Sequence, residues 1–190
     1  MKRKYVRAFI AIEIPAAIKI AMAAAQDRLK TAGVDATWSR PEGVHLTLKF
    51  LGEVNEERGP EIIRVLKDAL HDTERFRIGI AGVGTFPNPI NPRVVWVGIA
   101  GDLAHLAALH AAVEQALAGV GLEREQRPFT PHLTLGRIKR IRDQGAWLTA
   151  LGGIGGFEIP AFPVASISLM SSELKPAGAV YREIGTVALK

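Results

Sequence analysis

Two short segments of the chain combine residue types that can carry out acid–base chemistry on a phosphate. The segment His45-Leu46-Thr47-Leu48 recurs as His132-Leu133-Thr134-Leu135. On a β-strand, residues two positions apart point to the same side and lie roughly 6–7 Å apart. The histidine and threonine of each segment therefore share one face, while the leucines take the opposite face and can anchor a core. An imidazole and a hydroxyl at this spacing can contact different atoms of one phosphate.

Two histidines and two hydroxyls, in a chain without cysteine, favour cleavage of a phosphodiester without a metal. One neutral imidazole can remove a proton from the attacking oxygen while a protonated imidazole donates one to the leaving oxygen, because the ordinary pKa of histidine lies near neutrality. In-line displacement places these oxygens on opposite sides of phosphorus, so His45 and His132 are expected to face each other. Thr47 and Thr134 are expected to bind the non-bridging oxygens, where charge is concentrated.

A metal site and a duplicated strand with only a structural role are the alternatives to this chemistry. Histidine is a common metal ligand, but two histidines are too few, and Glu42 and Glu53 beside the first motif have no counterpart beside the second. We therefore predict no metal and no cofactor. The other histidines, His71, His105 and His110, lie on predicted helices outside the motifs and are expected to be ordinary surface or helix-end residues.

The two motifs belong to an internal repeat. The segments RPEGVHLTL at 40–48 and RPFTPHLTL at 127–135 share six of nine residues. The same offset places a predicted helix at 16–31 onto another at 103–118. Two copies of this length are too few and too long for a solenoid. The repeat instead predicts two related lobes around a pseudo-twofold axis, with both motifs facing a shared cleft.

The hydrophobic pattern of the whole chain predicts alternating strands and helices. A proline-rich connector at 85–93 separates repeat halves of roughly 1–86 and 93–190, which together form one domain. Strands are predicted near 5–14, 44–51, 75–83, 94–99, 131–138, 164–171 and 180–188, and helices near 16–31, 56–70, 103–118 and 143–150.

Composition excludes several classes of protein. The chain has 190 residues, 24 Lys and Arg against 19 Asp and Glu, and no cysteine, which excludes disulfides, thiolate zinc sites, iron–sulfur clusters and cysteine nucleophiles. The apolar stretch near the N-terminus is interrupted by Glu13, Pro15 and Lys19, unlike a signal peptide, and no apolar run is long enough to span a membrane. We expect a cytoplasmic protein, and its net charge of +5 suits an anionic partner such as nucleic acid.

The paired motifs resemble the signature of the 2H phosphoesterase superfamily. Within it, the chain is most similar to the RNA 2′,3′-cyclic phosphodiesterase family, also called 2′-5′ RNA ligase. This resemblance implies an α+β fold with two lobes, each with an antiparallel sheet and outer helices around a central cleft. Further similar segments are Arg7–Ala11, Trp38–Glu42, Phe50–Glu53, Phe86-Pro87, Pro92–Trp96, Arg127–Pro131 and the end of the chain around Ser172, Glu173, Leu174, Gly178 and Tyr181.

The resemblance implies hydrolysis of a 2′,3′-cyclic phosphate to a 2′-phosphomonoester without a metal. By analogy with the family, His45 donates a proton to the leaving 3′ oxygen and His132 accepts a proton from water. Thr47 and Thr134 would then bind the phosphate oxygens. The residues alone do not fix which histidine is the acid.

Four further residues are candidates for contacts with the substrate. Relatives carry an arginine near the position of Arg137, and its repeat partner Phe50 could stack on a base. Strict alternation puts both on the leucine face. A twist or bulge at Gly136 could turn Arg137 to the other face, but the sequence shows no such feature at Phe50, for which a place in the core is the alternative. The duplicated Arg40 and Arg127 either attract RNA phosphates at the cleft entrance or only shape their Arg-Pro turns.

The expected partner is RNA that ends in a 2′,3′-cyclic phosphate, with tRNA fragments among the candidates, bound by a monomer with no role for a membrane. Three other functions are compatible with the same residues. They are 2′-5′ RNA ligation at such ends, hydrolysis of a small cyclic-phosphate nucleotide, and RNA binding without catalysis. The intact pair of motifs argues against the last, whereas the sequence does not separate the hydrolase from the ligase.

Overall fold

Two antiparallel sheets form the framework of the protein. A computed structural model describes residues 4–175 and 178–190. The strands are β1 (Tyr5–Glu13), β2 (Val34–Trp38), β3 (His45–Asn55), β4 (Phe76–Phe86), β5 (Val94–Gly101), β6 (His132–Ile141), β7 (Glu158–Val164), β8 (Ser166–Lys175) and β9 (Gly178–Ala188). The helices are α1 (Ala16–Lys30), α2 (Gly59–Leu70), α3 (Leu103–Ala118) and α4 (Gln144–Gly153).

One sheet has the strand order β3-β1-β8-β9, and the other has the order β2-β6-β5-β4-β7. Neighbouring strands are antiparallel throughout both sheets. Helices α2 and α3 pack beside the first sheet, while α1 packs against β2 and β6 of the second and also contacts α4. The predicted α+β architecture of two antiparallel sheets with helices is confirmed. Among the described residues, no helix is both long and apolar enough to cross a membrane.

The repeat found in the sequence is visible in the order of the elements. The series β1, α1, β3, α2, β4 is followed by β5, α3, β6, α4, β8. The last strand of each series is exchanged, because β4 pairs with β5 and β8 pairs with β1. The helices cross over as well, since α1 contacts β6 and α3 contacts β3. Each sheet therefore contains strands from both repeats, so neither repeat completes a sheet by itself.

The leucines of both motifs lie in the main core. Leu46 and Leu48 on β3, and Leu133 and Leu135 on β6, are all at least 96% buried. The residues between them are only half-buried and lie on the other side of each sheet, which is called the histidine face below. β3 and β6 contact each other, so the two strands that carry the motifs lie at the junction between the sheets.

Candidate active site

The first motif histidine is enclosed by aromatic rings. His45 is the first residue of β3, and its imidazole stacks on Phe9 with ring centroids 4.9 Å apart and planes inclined by 20°. The ring of Tyr181 meets it edge to face at 4.6 Å and 83°. The short helical turn Pro41–Gly43 lies against Tyr181, since a Cβ at Gly43 would stand 2.8 Å from that ring. Aromatic packing on two sides therefore holds the His45 imidazole in one orientation.

This enclosure changes the acidity of His45. Its pKa is lowered from 6.5 to about 4, mainly because the ring is buried and also because the ammonium of Lys19 is nearby. Both effects disfavour the imidazolium, because a buried charge loses hydration and a like charge repels it. At pH 7 only about one imidazole in a thousand is then protonated in the free protein. A proton-donating role for His45 therefore requires that the bound phosphate, an anion, raise this pKa.

We expect Lys19→Gln to raise the pKa of His45 above 4 while leaving it below 6.5, because the repulsive charge is gone but the burial remains. An NMR titration of the His45 ring protons measures this pKa directly, and added inorganic phosphate should raise it as well. Lys30→Gln is the matched control on the same helix, since the Lys30 ammonium is paired with Asp27 at 2.7 Å. Equal titration curves for wild type and Lys19→Gln would contradict the electrostatic assignment.

The second motif histidine is oriented by a hydrogen bond. The Nδ1 of His132, the first residue of β6, lies 2.7 Å from the carbonyl oxygen of Thr130. A carbonyl oxygen only accepts, so Nδ1 carries the hydrogen and Nε2 presents the lone pair of the neutral ring. Phe86 packs edge to face on the imidazole at 5.1 Å, and Trp96 lies 5.9 Å away. The neutral tautomer fixed in this way is suited to accepting a proton at Nε2.

The motif threonines lie two residues after each histidine, near the start of β3 and of β6. Thr47 is opposite Ala11 across β1 and β3, and Thr134 is opposite Trp96 across β5 and β6. Both are half-buried on the histidine face. Neither hydroxyl has a hydrogen-bond partner among the residues that the structure describes. Both hydroxyls are thus available to a bound phosphate.

A bulge in β3 corrects the expectation for Phe50. Between the cross-strand pairs Thr47–Ala11 and Phe50–Phe9, β3 contains one residue more than β1. An extra residue reverses the alternation of side chains beyond it. Phe50 therefore shares the histidine face with Thr47, and its side chain is 70% exposed. The prediction that Phe50 lies on the leucine face is wrong.

An equivalent bulge occurs in β6. Between the pairs Thr134–Trp96 and Arg137–Val94, β6 contains one residue more than β5. The bulge includes Gly136, as the sequence suggested, and it brings Arg137 onto the histidine face. The burial of the first six residues is the same in β3 and β6. Phe50 and Arg137 therefore occupy equivalent places next to the two His-Thr pairs.

The two duplicated arginines of the Arg-Pro segments differ in their surroundings. The guanidinium of Arg127 forms two bonds with the carboxylate of Glu125, at 3.1 and 2.8 Å, and holds the pKa of Glu125 at about 2. Its charge is thus already compensated. Arg40 is exposed just before the turn Pro41–Gly43, and its carbonyl accepts the N–H of Gly43 at 2.9 Å. Among the described residues no carboxylate pairs with Arg40, so its charge is open to an anion.

The structure contains a buried ion pair that was not predicted from the sequence. Lys49, in the bulge of β3, is 97% buried, and its ammonium donates to both carboxylate oxygens of Glu114 on α3 at 2.9 and 2.8 Å. It also donates to the carbonyl oxygen of Glu123 at 2.6 Å. Glu114 in turn accepts the backbone N–H of Glu125 at 3.3 Å. The pair therefore ties the bulge of β3 to the loop that precedes β6.

A ring stack fixes the same loop closer to the second motif. His110 on α3 lies parallel to Phe129, with centroids 4.0 Å apart and planes inclined by 6°. Phe129 is followed by Thr130, whose carbonyl orients His132. Helix α3 thus positions His132 through this loop. Among the described residues, no group of three or more histidine or carboxylate side chains is placed to hold a metal ion.

The sequence profile of the 2′-5′ RNA ligase superfamily matches residues 16–175, a span that includes both motifs. The chain belongs to this superfamily. The family recognised from the paired His-x-Thr motifs is thus confirmed. Both motifs, both bulges and the ion pair of Lys49 with Glu114 lie inside the part of the chain that the superfamily profile covers.

Curated members of the superfamily match nearly the whole chain. An RNA 2′,3′-cyclic phosphodiesterase of Methanothermobacter thermautotrophicus is 35% identical over 179 residues, which cover 94% of this chain and 96% of the relative. A protein of the same name from Aeropyrum pernix is 37% identical over 163 residues, which cover 86% of this chain and 92% of the relative.

Solved structures show the same fold. The crystal structure of TT0787 of Thermus thermophilus matches with a TM-score of 0.75 and 29% identity, over 96% of this chain and 97% of that chain. The structure of E. coli LigT complexed with 3′-AMP matches with a TM-score of 0.76 and 22% identity, over 98% of this chain and 99% of that chain. The arrangement of sheets and helices described above is therefore shared with these solved structures.

Proposed function

We propose that this protein hydrolyses RNA ends bearing a 2′,3′-cyclic phosphate to 2′-phosphomonoesters, using two histidines and no metal. The observation that carries the proposal is the duplicated His-x-Thr pair. Both copies lie on the histidine faces of strands that contact each other, each next to an equivalent bulge. The names of the curated relatives supply the substrate, because two of those relatives are called RNA 2′,3′-cyclic phosphodiesterase.

The proposed reaction is a single in-line displacement at phosphorus. Nε2 of His132 accepts a proton from a water molecule, whose oxygen forms a bond to phosphorus. The bond from phosphorus to the 3′ oxygen breaks, and His45 donates a proton to that oxygen. The 2′ oxygen keeps its bond to phosphorus, so the product is a 2′-phosphomonoester. The tautomer fixed by the Thr130 carbonyl supports the accepting role of His132.

The donating role of His45 depends on the substrate. A phosphodiester anion beside the ring favours the imidazolium and raises the pKa of His45 from its value of about 4. Protonation would thus accompany binding. Free His45 stays neutral near pH 7, which lessens charge repulsion with Lys19 until the anion arrives.

Binding is assigned to the groups around the histidines. The free hydroxyls of Thr47 and Thr134 and the guanidinium of Arg137 are proposed to hold the phosphate oxygens. The exposed ring of Phe50 is proposed to stack on a base, as aromatic side chains do with unpaired RNA. Arg40 is proposed to attract the RNA electrostatically, whereas Arg127 already forms an ion pair with Glu125.

The test is a cleavage assay in the presence of a chelator. Wild-type protein is incubated with an oligonucleotide ending in a 2′,3′-cyclic phosphate, and phosphorus NMR identifies the product. A 2′-phosphate is expected. A 3′-phosphate would show that the other bond breaks and would exchange the leaving group, and absence of turnover in the chelator would overturn the proposal.

Ligation is the second candidate, because the matching profile is named for 2′-5′ RNA ligases. The 5′-hydroxyl of a second RNA would take the place of water at His132 and form a 2′-5′ linkage. Adding an excess of an RNA with a 5′-hydroxyl to the same assay separates the two reactions. A joined product in place of the 2′-phosphate would favour the ligase.

A further inference from the structure

A line of cations continues from the proposed site along β6. Beyond the first bulge, β6 carries two exposed arginines, Arg137 and Arg140, and a third, Arg142, follows directly after its end. We call Arg137, Arg140 and Arg142 the basic strip. Arg137 belongs to the site already described, and the other two extend away from the motif histidine.

A second irregularity places Arg140 on the histidine face. Between the cross-strand pairs Arg137–Thr37 and Arg140–Asp35, β6 contains one residue more than β2. Side chains two apart on β2 share a face, so Thr37 and Asp35 do, and their partners Arg137 and Arg140 do as well. Arg142 follows Ile141, which packs against the core, and is exposed just past the end of the strand.

The charge of the strip is not compensated locally. Asp35 is the cross-strand neighbour of Arg140, and no ion pair joins the two. Within the described part of the chain, neither Arg140 nor Arg142 pairs with any carboxylate. Arg127, by contrast, is bound to Glu125 at 2.8 Å. The strip therefore presents free positive charge, which an anion can bind.

The strip exists in only one of the two repeats. At the offset that relates Arg127 to Arg40, Arg140 corresponds to Glu53 and Arg142 corresponds to Asn55. The motifs and their bulges are duplicated, whereas this charge is not. The duplication therefore does not account for these cations. They lie on one side of the site only, so a polyanion bound at the site would extend along that side.

The length of the strip suits a chain of phosphates. Strands rise about 3.3 Å per residue, so at most about 26 Å separate Thr134 from Arg142. A positively charged groove that tracks the backbone is how proteins bind single-stranded nucleic acid without reading its sequence. A terminal cyclic phosphate at Thr134 leaves the preceding nucleotides in reach of Arg140 and Arg142.

We propose that Arg140 and Arg142 bind phosphates on the 5′ side of the terminal nucleotide of a single-stranded RNA, so that an oligonucleotide is a better substrate than a mononucleotide. This rests on the proposed hydrolysis of cyclic phosphate ends. Arg140 and Arg142 act on binding alone, because neither residue lies next to a motif histidine.

The experiment compares wild type with the double variant Arg140→Gln, Arg142→Gln on two substrates with the same terminal nucleotide. The value of kcat/KM for the mononucleotide 2′,3′-cyclic phosphate should not change. For the oligonucleotide, losing two phosphate contacts should make the slope of log(kcat/KM) against log(salt concentration) less steep by about 1.4. A fourfold rise in salt concentration should therefore lower kcat/KM about sevenfold more in the wild type than in the variant. Arg64→Gln with Lys67→Gln, two exposed cations on α2, controls for net charge.

The outcomes separate the strip from the proposed activity. Equal kcat/KM for the two substrates in wild type would contradict the proposal that Arg140 and Arg142 bind RNA phosphates. A control variant that behaves like the double variant would contradict it as well. Turnover of neither substrate would overturn the hydrolysis instead. In that event, fluorescence anisotropy with an oligonucleotide ending in a 2′-phosphate still tests the strip, which predicts weaker and less salt-dependent binding by the double variant.

Discussion

His132→Ala is expected to lower kcat on a 2′,3′-cyclic phosphate end by about 10²- to 10⁴-fold, the usual contribution of a general acid or base. The alanine removes the Nε2 lone pair that would take the proton from water. His45→Ala should cause a loss of the same order, because the leaving oxygen would then depart without a proton. KM should change much less than kcat, since the hydroxyls of Thr47 and Thr134 stay in place.

The loss of kcat should result from removing the imidazoles and not from a disturbed fold. His71→Ala, on an exposed histidine just after α2, is the matched control and should keep wild-type kcat. The double variant His45→Ala, His132→Ala should lose less than the product of the single losses, because the two groups act in one step. Added imidazole should restore part of the activity of a single variant. Single variants with wild-type kcat would contradict the two-histidine mechanism.

The strand faces on which the motif residues lie could be predicted from the sequence because they depend on local periodicity. Alternation on a strand is enough to put His45 with Thr47 and to bury the leucines between them. The second copy, at His132 and Thr134, made the pattern specific. The helix boundaries were equally local, and the prediction of 103–118 agrees with α3 (Leu103–Ala118).

Features that depend on a partner strand were not accessible in the same way. A bulge is defined by the residues opposite it, so the reversal that exposes Phe50 required the register of β1. The exchange of β4 and β8 between the repeats likewise cannot be recognised from the sequence of either strand by itself. The sequence repeat predicted the two related series of elements but not their interleaving.

Two short edge strands were missed for different reasons. β7 contains Pro160 and Pro163, which argue against a strand, yet β7 lies at the edge of its sheet, where proline is tolerated. β2 has only five residues and its side chains are half-buried or exposed, so its pattern is weak. It matters to the site because its register with β6 places Arg140 on the histidine face.

Lys49 shows the limit of treating a charged residue in a strand as a surface residue. Its partner Glu114 lies 65 residues further along the chain, on α3. Lysine is almost never fully buried unless it is paired. The pairing depends on how α3 docks on β3, which arises only from the exchanged packing of the repeats.

Glu114→Ala is expected to lower the free energy of unfolding by about 3–5 kcal/mol, because it leaves the buried ammonium of Lys49 without its counter-charge. Urea denaturation with linear extrapolation measures the change. Asp68→Ala, which breaks the exposed pair with Arg64, is the control and should cost less than about 1 kcal/mol. A loss at Glu114 no larger than that control would contradict the cost assigned to the buried charge.

The double variant Lys49→Met, Glu114→Leu separates stability from positioning. Replacing both charges by apolar side chains removes the uncompensated charge, so most of the lost stability should return. The loop before β6 would still lack its bonds from Lys49 to the carbonyl of Glu123 and from the N–H of Glu125 to Glu114. Since this loop carries the Thr130 carbonyl that orients His132, kcat should stay below wild type while stability recovers. Recovery of both together would show that the ion pair supports the fold and does not position the proposed base.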